Sequence, residues 1–322
     1  MSRDEARWVA LFPGQGSQAV GMGRGLAQTY PEAAEAFAIA DDVLGEHLSR
    51  LCFEGPEEAL TLTRNTQPAL LTVAVAAWRV LKERVPPPVA AAGHSLGEYS
   101  ALVAAGVIGF ADALRAVRLR GDAMQEAVPV GEGAMAAIIG LEPAAVEKLC
   151  AESRTSGEVL VPANFNAPDQ TVVSGHKIAV DRLVALAPKA GARKAMLLPV
   201  SAPFHSPMMG PAAERMEEFL EGVRFRDPAF PVVANATASP VKDGESARRT
   251  LVAQIASPVR WVETMKLLEE EWGATSGVEF GAGRVLAGLS RRINEKLRIA
   301  PFGTPDELDA AVASVVGAAA QR

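Results

Sequence analysis

The sequence contains few of the residues that mark a disulfide scaffold, a metal centre or a membrane segment. Only two cysteines occur in 322 residues, Cys52 and Cys150. They are far apart and each lies among apolar neighbours, so we interpret both as packed thiols rather than a disulfide or a metal pair. No His/Cys/Asp cluster has metal-ligand spacing, and we expect neither a metal nor a cofactor. The longest apolar runs, such as residues 101–111, are too short to span a bilayer.

Positive charge is also scarce, since 32 Lys and Arg face 38 Asp and Glu for a net charge of -6. This balance argues against nucleic acid as the main partner. The first residues are polar with no apolar stretch behind them, so we expect a cytoplasmic protein with no membrane partner. The apolar share of 49% and the length of 322 residues suit one large α/β domain, with or without an inserted subdomain.

Apolar strand-like runs alternate with helical patterns in the first and last parts of the chain. This alternation predicts a mostly parallel sheet with helices on both faces. The predicted strands are residues 8–12, the run before Ser95, 230–236 and 277–280. The predicted helices are residues 33–51, those up to about 126, 261–269, 284–296 and a terminal helix from Leu308.

The middle of the chain follows a different order. Strands are predicted at residues 134–140, 158–165, 170–174 and 195–200, with helices at 143–152 and 180–186. This βαββαβ order is typical of a ferredoxin-like unit. We therefore predict an α/β-hydrolase-like large domain, residues 1–128 and 201–322, with an inserted ferredoxin-like subdomain at 129–200.

The segment Gly93-His94-Ser95-Leu96-Gly97 fits the G-x-S-x-G pattern between a short strand and a helix. In a nucleophile elbow the glycines permit a sharp turn that exposes the serine hydroxyl, and the Leu96 amide at the helix start can hold an oxyanion. The pattern makes Ser95 a candidate nucleophile. A structural Gly/Ser turn is the alternative.

A serine nucleophile needs a base, and the chain has four histidines. His47 lies in an amphipathic helical pattern and His176 in a turn, while His94 adjoins the nucleophile but diverges from it around the elbow. We favour His205, which lies where the chain re-enters the large domain. A loop histidine capped by neighbouring hydroxyls is the alternative.

Arg120 interrupts an apolar stripe. In the helical pattern of residues 113–124 it falls on the same narrow face as Ala113, Val117 and Met124. A buried guanidinium keeps its charge and requires an anionic partner. That partner is either a carboxylate of the chain, such as Glu98, or a substrate carboxylate held beside Ser95.

A Gly-rich loop containing Gln15 follows the first predicted strand. With Ala19 it fits the relaxed G-x-G-x-x-A dinucleotide pattern, but no acidic residue follows a clear second strand. The other interpretation is that a backbone amide of this loop, with Gln15 nearest the turn, is a second oxyanion donor.

Together these motifs resemble the malonyl-CoA:acyl carrier protein transacylases, from about residue 8 to about residue 295. The residues that carry the resemblance are 12–18 (FPGQGSQ), 66–69 (TQPA), 93–99 (GHSLGEY), Arg120-Gly121, Asn166-Ala167-Pro168, Ser174-Gly175, Phe204-His205-Ser206 and Gln254 ahead of Pro258-Val259. The resemblance implies that malonyl-CoA and acyl carrier protein are the partners and that Ser95 carries the malonyl group between them.

The resemblance also assigns residue roles. It implies His205 as general base and acid, the amides of Gln15 and Leu96 as oxyanion donors, and Arg120 as the residue that binds the malonate carboxylate. It places Gln254 where a backbone carbonyl orients the histidine, and it places Gln67, Asn164 and Asn166 along the site. Leu96 and Phe204 are similar to malonyl-selective rather than methylmalonyl-selective enzymes.

Alternatives remain at this stage. The chain could supply a polyketide synthase in trans, act as an esterase or thioesterase of α/β-hydrolase type, or bind a carrier protein without catalysis. We expect a monomer. Candidate contacts for an acidic carrier protein, or else ordinary solvated charges, are Lys189, Arg193, Lys194, Arg284, Arg291 and Arg292.

Overall fold

The computed structural model describes residues 7–200 and 202–320, apart from the side chains of residues 317–320. The predicted domain border at Ser201 and the polar residues before Arg7 lie outside the described residues. No helix within these ranges is long and apolar enough to cross a membrane.

The described residues form strands and helices in alternation. The strands are β1 Trp8–Phe12, β2 Ala90–Gly93, β3 Gly133–Ile139, β4 Leu160–Ala167, β5 Gln170–His176, β6 Lys194–Leu197, β7 Val232–Ala234, β8 Ser239–Pro240, β9 Ser276–Phe280 and β10 Arg298–Phe302. The helices are α1 Arg24–Thr29, α2 Pro31–Leu44, α3 Leu48–Glu54, α4 Glu57–Thr61, α5 Thr63–Lys82, α6 Gly97–Ala104, α7 Phe110–Glu126, α8 Pro143–Ser153, α9 Lys177–Leu186, α10 Gly210–Glu221, α11 Gly244–Ala256, α12 Trp261–Glu270, α13 Val285–Ile293 and α14 Leu308–Ala320.

The larger sheet has the order β10-β9-β1-β2-β7-β8. Its neighbouring strands are parallel except for the antiparallel pair β7 and β8. Strand β1 is buried along its whole length, as expected of a central parallel strand covered on both faces. Register pairs Phe12 with Gly93, so the carboxyl ends of β1 and β2 lie side by side.

Helices cover both faces of this sheet. Alternate residues of β1 point to opposite faces and therefore pack in two different cores. Trp8 and Phe12 pack with helices α2, α5 and α7 in the main core, where Trp78 of α5 contacts both rings. Val9 and Leu11 pack on the other face with α12 and α13. The predicted parallel sheet between helical layers is confirmed.

The smaller sheet has the order β4-β5-β3-β6, with every neighbouring pair antiparallel. Helices α8 and α9 cover one face, where Ala136 and Ile138 of β3 are buried. Met135 and Ala137, on the opposite face of β3, join the main core. The second face of the small sheet therefore packs on the larger unit and closes over the end of the large sheet.

Some predicted elements differ from the structure. The helix predicted over residues 33–51 is divided into α2 and α3, because Gly45 takes a left-handed φ of 63° and ends α2. Strand β7 is shorter than the predicted 230–236. Strands β8 and β10, which lie at the two edges of the sheet, and helices α5, α10 and α11 were not predicted.

Candidate active site

The turn at Ser95 joins β2 to α6 and has a left-handed backbone, with φ of 52° at Ser95. Such a conformation is strained for a residue with a side chain, and it turns the hydroxyl away from the strand. The turn also lies tightly against its surroundings. A Cβ at Gly97 would be 2.0 Å from the Phe12 carbonyl oxygen, and one at Gly14 would be 2.4 Å from that of His94. The elbow and the Gln15 loop therefore touch through glycine backbone.

His205 lies beside the serine hydroxyl, with Nε2 2.7 Å from Ser95 Oγ. Its Nδ1 lies 2.9 Å from the backbone oxygen of Gln254 and 3.2 Å from that of Ser257. Carbonyl oxygens only accept, so Nδ1 carries the proton and Nε2 is free to accept one from Ser95. Burial, and then the charge of Arg120, lower the pKa of His205 from 6.5 to about 3. The imidazole of His205 is therefore neutral near pH 7.

The other three histidines form no hydrogen bond with the serine hydroxyl in the described part of the chain. His94 faces Asn166, with 2.7 Å between Nε2 and Oδ1, and its ring packs against Trp261. His176 accepts a hydrogen bond from the Val159 amide. His47 is exposed at the start of α3 rather than on the surface of a continuous helix.

Arg120 is 1% exposed and points from α7 toward the serine. It donates to Gln67 Oε1 at 2.9 Å, to Gln254 Oε1 at 2.8 Å and to Ser95 Oγ at 3.1 Å. Its Nε has no partner, and within the described ranges no carboxylate forms an ion pair with it. Burial lowers the pKa of Arg120, because the charged form is desolvated. The site therefore holds a buried cation without a protein counter-ion in contact.

Gln254 connects the groups around the serine through its side chain as well as its backbone. Its Nε2 donates to the Ser95 carbonyl oxygen at 2.9 Å and to Glu98 Oε2 at 2.7 Å. Glu98 is fully buried, and burial raises its pKa from 4.5 to about 7. The predicted partnership of Glu98 with Arg120 is indirect, because Gln254 stands between them.

Leu96 and Gln15 both line the cavity that contains Ser95. Among the residues that the structure describes, neither backbone amide donates to a protein acceptor. The Gln15 side chain is held by Thr63, with 3.4 Å between Nε2 and Oγ1. These two amides are available to an oxygen bound beside Ser95.

The cavity has a volume of about 120 Å³ and is lined by Gln15, Gln67, His94, Ser95, Leu96, Arg120, Met124, Met135, Asn164, Leu198, Val200, Phe204 and His205. Most predicted site residues lie in this lining. Asn166 and Gln254 lie behind it, where they hold His94, His205 and Arg120. At Gln15 and Val200 the cavity meets a wider surface cleft of about 440 Å³.

Two neighbours of the reacting groups were not predicted. Ser257 supplies a second carbonyl to His205, and Asn235 accepts from the Ser95 amide at 2.6 Å. The sequence carries a signal for Asn235, because this polar residue directly follows the apolar run that forms β7. The structure places β7 next to β2. No local signal marks the Ser257 carbonyl.

Comparison with known proteins places the chain in a family. The acyl transferase domain model matches residues 9–318. A malonyl CoA-acyl carrier protein transacylase from Salmonella typhimurium is 47% identical over 95% of this chain and 99% of the relative.

Solved structures agree with this match. A malonyl CoA-acyl carrier protein transacylase from Coxiella burnetii superposes with a TM-score of 0.94 at 43% identity, covering 97% of this chain and 99% of that one. A malonyl-transacylase solved with the type II polyketide carrier protein AntF has a TM-score of 0.92 at 46% identity, covering 95% and 99%. The chain therefore belongs to the acyl transferase domain family, among the malonyl CoA-acyl carrier protein transacylases.

Proposed function

We propose that this protein transfers the malonyl group from malonyl-CoA to the phosphopantetheine thiol of acyl carrier protein through a malonyl ester on Ser95. The observation that carries the proposal is the buried guanidinium of Arg120, 3.1 Å from Ser95 Oγ and without a carboxylate partner in the described part of the chain. A malonyl group on Ser95 would supply a carboxylate that pairs with Arg120. A plain ester substrate does not.

In the first half-reaction Ser95 Oγ attacks the thioester carbonyl while His205 Nε2 takes the hydroxyl proton. The Gln254 and Ser257 carbonyls hold the imidazole in the required tautomer and stabilise the imidazolium that forms. No acidic third residue is needed for this task. The proton then passes from His205 to the departing coenzyme A thiolate, leaving the malonyl ester on Ser95.

The carbonyl oxygen becomes negatively charged in this step and requires donors. Gln15 and Leu96 both line the cavity, and their amides have no acceptor within the described part of the chain. Each donor of this kind contributes about 3 kcal/mol to the stability of a transition state. Since both are backbone groups held by close glycine contacts, they need no reorganisation during the reaction.

The substrate carboxylate also changes the basicity of His205. In the resting site, burial and the charge of Arg120 disfavour the imidazolium. A malonate carboxylate bound to Arg120 offsets that charge, so protonation of His205 becomes easier when the correct acyl group is present. Binding of the carboxylate and activation of the base are thereby linked.

In the second half-reaction the pantetheine thiol of the carrier protein takes the place of coenzyme A. His205 removes the thiol proton, the thiolate attacks the malonyl ester, and the proton returns to Ser95 Oγ. A polyketide carrier protein belongs in the assay beside one from fatty acid synthesis, because a 46% identical relative was solved with the former.

The remaining site residues would shape the acyl pocket. Phe204 is 8% exposed and lines the cavity, where its ring limits space for an α-methyl group. Gln67 holds Arg120 in place, and Asn164 adds a polar group to the wall. Asn166 would act indirectly, through His94.

We also propose that the chain is divided into a large domain and an inserted smaller unit. The elbow after β2 and the parallel sheet support an α/β-hydrolase-like large domain over 1–128 and 201–322. The order β4-β5-β3-β6 supports a ferredoxin-like unit over 129–200. We also propose a cytoplasmic monomer without a cofactor, in keeping with the two free, buried cysteines.

For carrier docking, part of the expected basic surface is already paired. Arg193 and Arg292 contact Asp169, and Arg284 contacts Glu307. Lys189, Lys194 and Arg291 form no ion pair in the described part of the chain. We propose these three as the stronger contacts for an acidic carrier protein.

Intact-mass measurement tests the function directly. The full chain mixed with malonyl-CoA should gain one malonyl group, Ser95→Ala should gain none, and holo acyl carrier protein added afterwards should receive the group. An esterase would instead release malonate to water without accumulating the adduct. A non-catalytic carrier-protein binder would show no adduct in either variant.

A further inference from the structure

Asn235 lies directly after β7 and is fully buried. Every polar group that it has is engaged. Its backbone amide donates to Glu98 Oε2 at 3.0 Å, and its backbone oxygen accepts from the Arg260 amide at 3.1 Å. Its side-chain Oδ1 accepts from the Ser95 amide at 2.6 Å, and Nδ2 donates to the Gly93 carbonyl at 2.7 Å. Because each polar group of this buried residue has a partner, its position is closely fixed.

The two side-chain bonds span the elbow. Gly93 and Ser95 flank His94, so one amide group ties both sides of the turn to the neighbouring strand. Ser95 has a left-handed φ of 52°, which a non-glycine residue keeps only when its surroundings fix it. The side-chain amide of Asn235 helps to hold Ser95 in this conformation.

Asn235 also binds one of the elbow amides. The amides of His94, Gly97 and Glu98 donate to the carbonyls of Phe12, His94 and Ser95. Asn235 takes the Ser95 amide, and among residues 94–98 only the Leu96 amide lacks a protein acceptor. The Leu96 amide is the donor that the proposed chemistry needs.

The same residue is linked to the other side of the site. Glu98 Oε2 accepts from both the Asn235 amide and Gln254 Nε2, and Gln254 holds His205 and Arg120. The Glu98 carboxylate therefore links Asn235, which holds the Ser95 turn, to Gln254, which holds His205.

We propose that Asn235 is a positioning residue that clamps the Ser95 elbow through Gly93 and leaves the Leu96 amide free for the oxyanion. This inference rests on the proposed function. It concerns the rate of acylation rather than the binding of malonyl-CoA, because Asn235 does not line the cavity.

The test measures single-turnover acylation by rapid quench and intact mass over a range of malonyl-CoA concentrations. For Asn235→Ala we expect the acylation rate constant at saturation to fall about 100-fold, while the half-saturating concentration changes less than about twofold. Val233→Ala is the matched control, since it empties a fully buried position on the same strand. It should lower the melting temperature to a similar extent and keep the wild-type rate constant.

A rate constant for Asn235→Ala equal to that of Val233→Ala would overturn the proposal, as would a loss expressed only in the half-saturating concentration. If Asn235→Ala does not fold, Asn235→Leu carries the test, because it fills a similar volume and removes both side-chain hydrogen bonds of Asn235. We expect its rate constant to fall about 100-fold as well, and a wild-type value overturns the proposal. Ser95→Ala separates the two hypotheses, since acylation of that variant would refute the function itself.

Discussion

Replacing Arg120 by alanine removes the one feature that distinguishes this site from that of a general serine esterase. The guanidinium is buried at 1% exposure and is fixed by Gln67 and Gln254. Those partners are neutral amides, so they orient the cation without neutralising it. We expect Arg120→Ala to abolish malonyl transfer and to retain part of the acylation by acetyl-CoA.

The magnitude follows from the cost of an unpaired buried charge. A malonate carboxylate in the cavity of Arg120→Ala would lack its cation, and breaking a buried ion pair in this way costs about 3 to 5 kcal/mol. At 1.36 kcal/mol per factor of ten, this lowers the acylation rate by roughly 10² to 10⁴. Acetyl-CoA has no carboxylate and does not bear this cost.

The appropriate quantity is the ratio of malonyl to acetyl acylation. Arg120 also donates to Ser95 Oγ at 3.1 Å, and loss of that contact affects both acyl groups. Taking the ratio cancels the effect of losing the contact with Ser95 Oγ. What remains is the effect of leaving the malonyl carboxylate without its cation. We therefore expect the ratio, measured by intact mass in single turnover, to fall by roughly 10² to 10⁴.

Arg118→Ala is the matched control for this experiment. Arg118 lies on the same helix but pairs with Glu46 at 2.8 Å and with Asn65 at 2.9 Å, away from the cavity. It should leave the ratio unchanged. An unaltered malonyl rate in Arg120→Ala, or an equal loss for both acyl groups, would refute the assigned role.

Four further outcomes are expected. Because burial and Arg120 lower the pKa of His205 to about 3, kcat/KM for acylation should show no limb from this histidine between about pH 5 and pH 8. The profile is measured in Glu98→Gln as well, because the buried Glu98 carboxyl has a pKa of about 7. Phe204→Ala should raise the methylmalonyl-to-malonyl rate ratio about tenfold or more, measured by competition, since the ring limits the acyl pocket. Gly97→Ala should lose activity and unfold at lower urea concentration, because its Cβ would be 2.0 Å from the Phe12 oxygen. Gly288→Ala meets no atom within 4 Å and lies in α13, so its unfolding free energy should rise by about 0.5 to 1 kcal/mol.

Each of these has a contrary result. A kcat/KM limb near the ordinary histidine pKa that persists in Glu98→Gln would mean that His205 is solvated in the working enzyme. An unchanged substrate ratio in Phe204→Ala would place the α-carbon of the acyl group away from that ring. Equal stability of the two glycine variants would contradict the close packing of the elbow against β1.

The predicted architecture depended on local patterns, and it is confirmed where such patterns are strong. Strand β1 is a continuous apolar run, and the order of β3 to β6 with α8 and α9 follows from alternating strand and helix periods. Strand β10 was missed because Pro301 interrupts its short apolar run, and the apolar helix α5 was missed as well. The helix over 33–51 was predicted as continuous because one glycine within an amphipathic pattern does not by itself reveal its φ.

The sequence by itself determined the candidate nucleophile, the cation and the alternation of strands and helices, because each depends on neighbours close along the chain. Ser95 follows from a five-residue turn, and Arg120 from one face of one helix. The hydrogen bonds of Asn235, the Ser257 carbonyl and the Gln254 side chain were decided only by the tertiary structure. They join segments up to 159 residues apart, as between Gln254 and Ser95, and contacts at that separation leave no periodic pattern in the sequence.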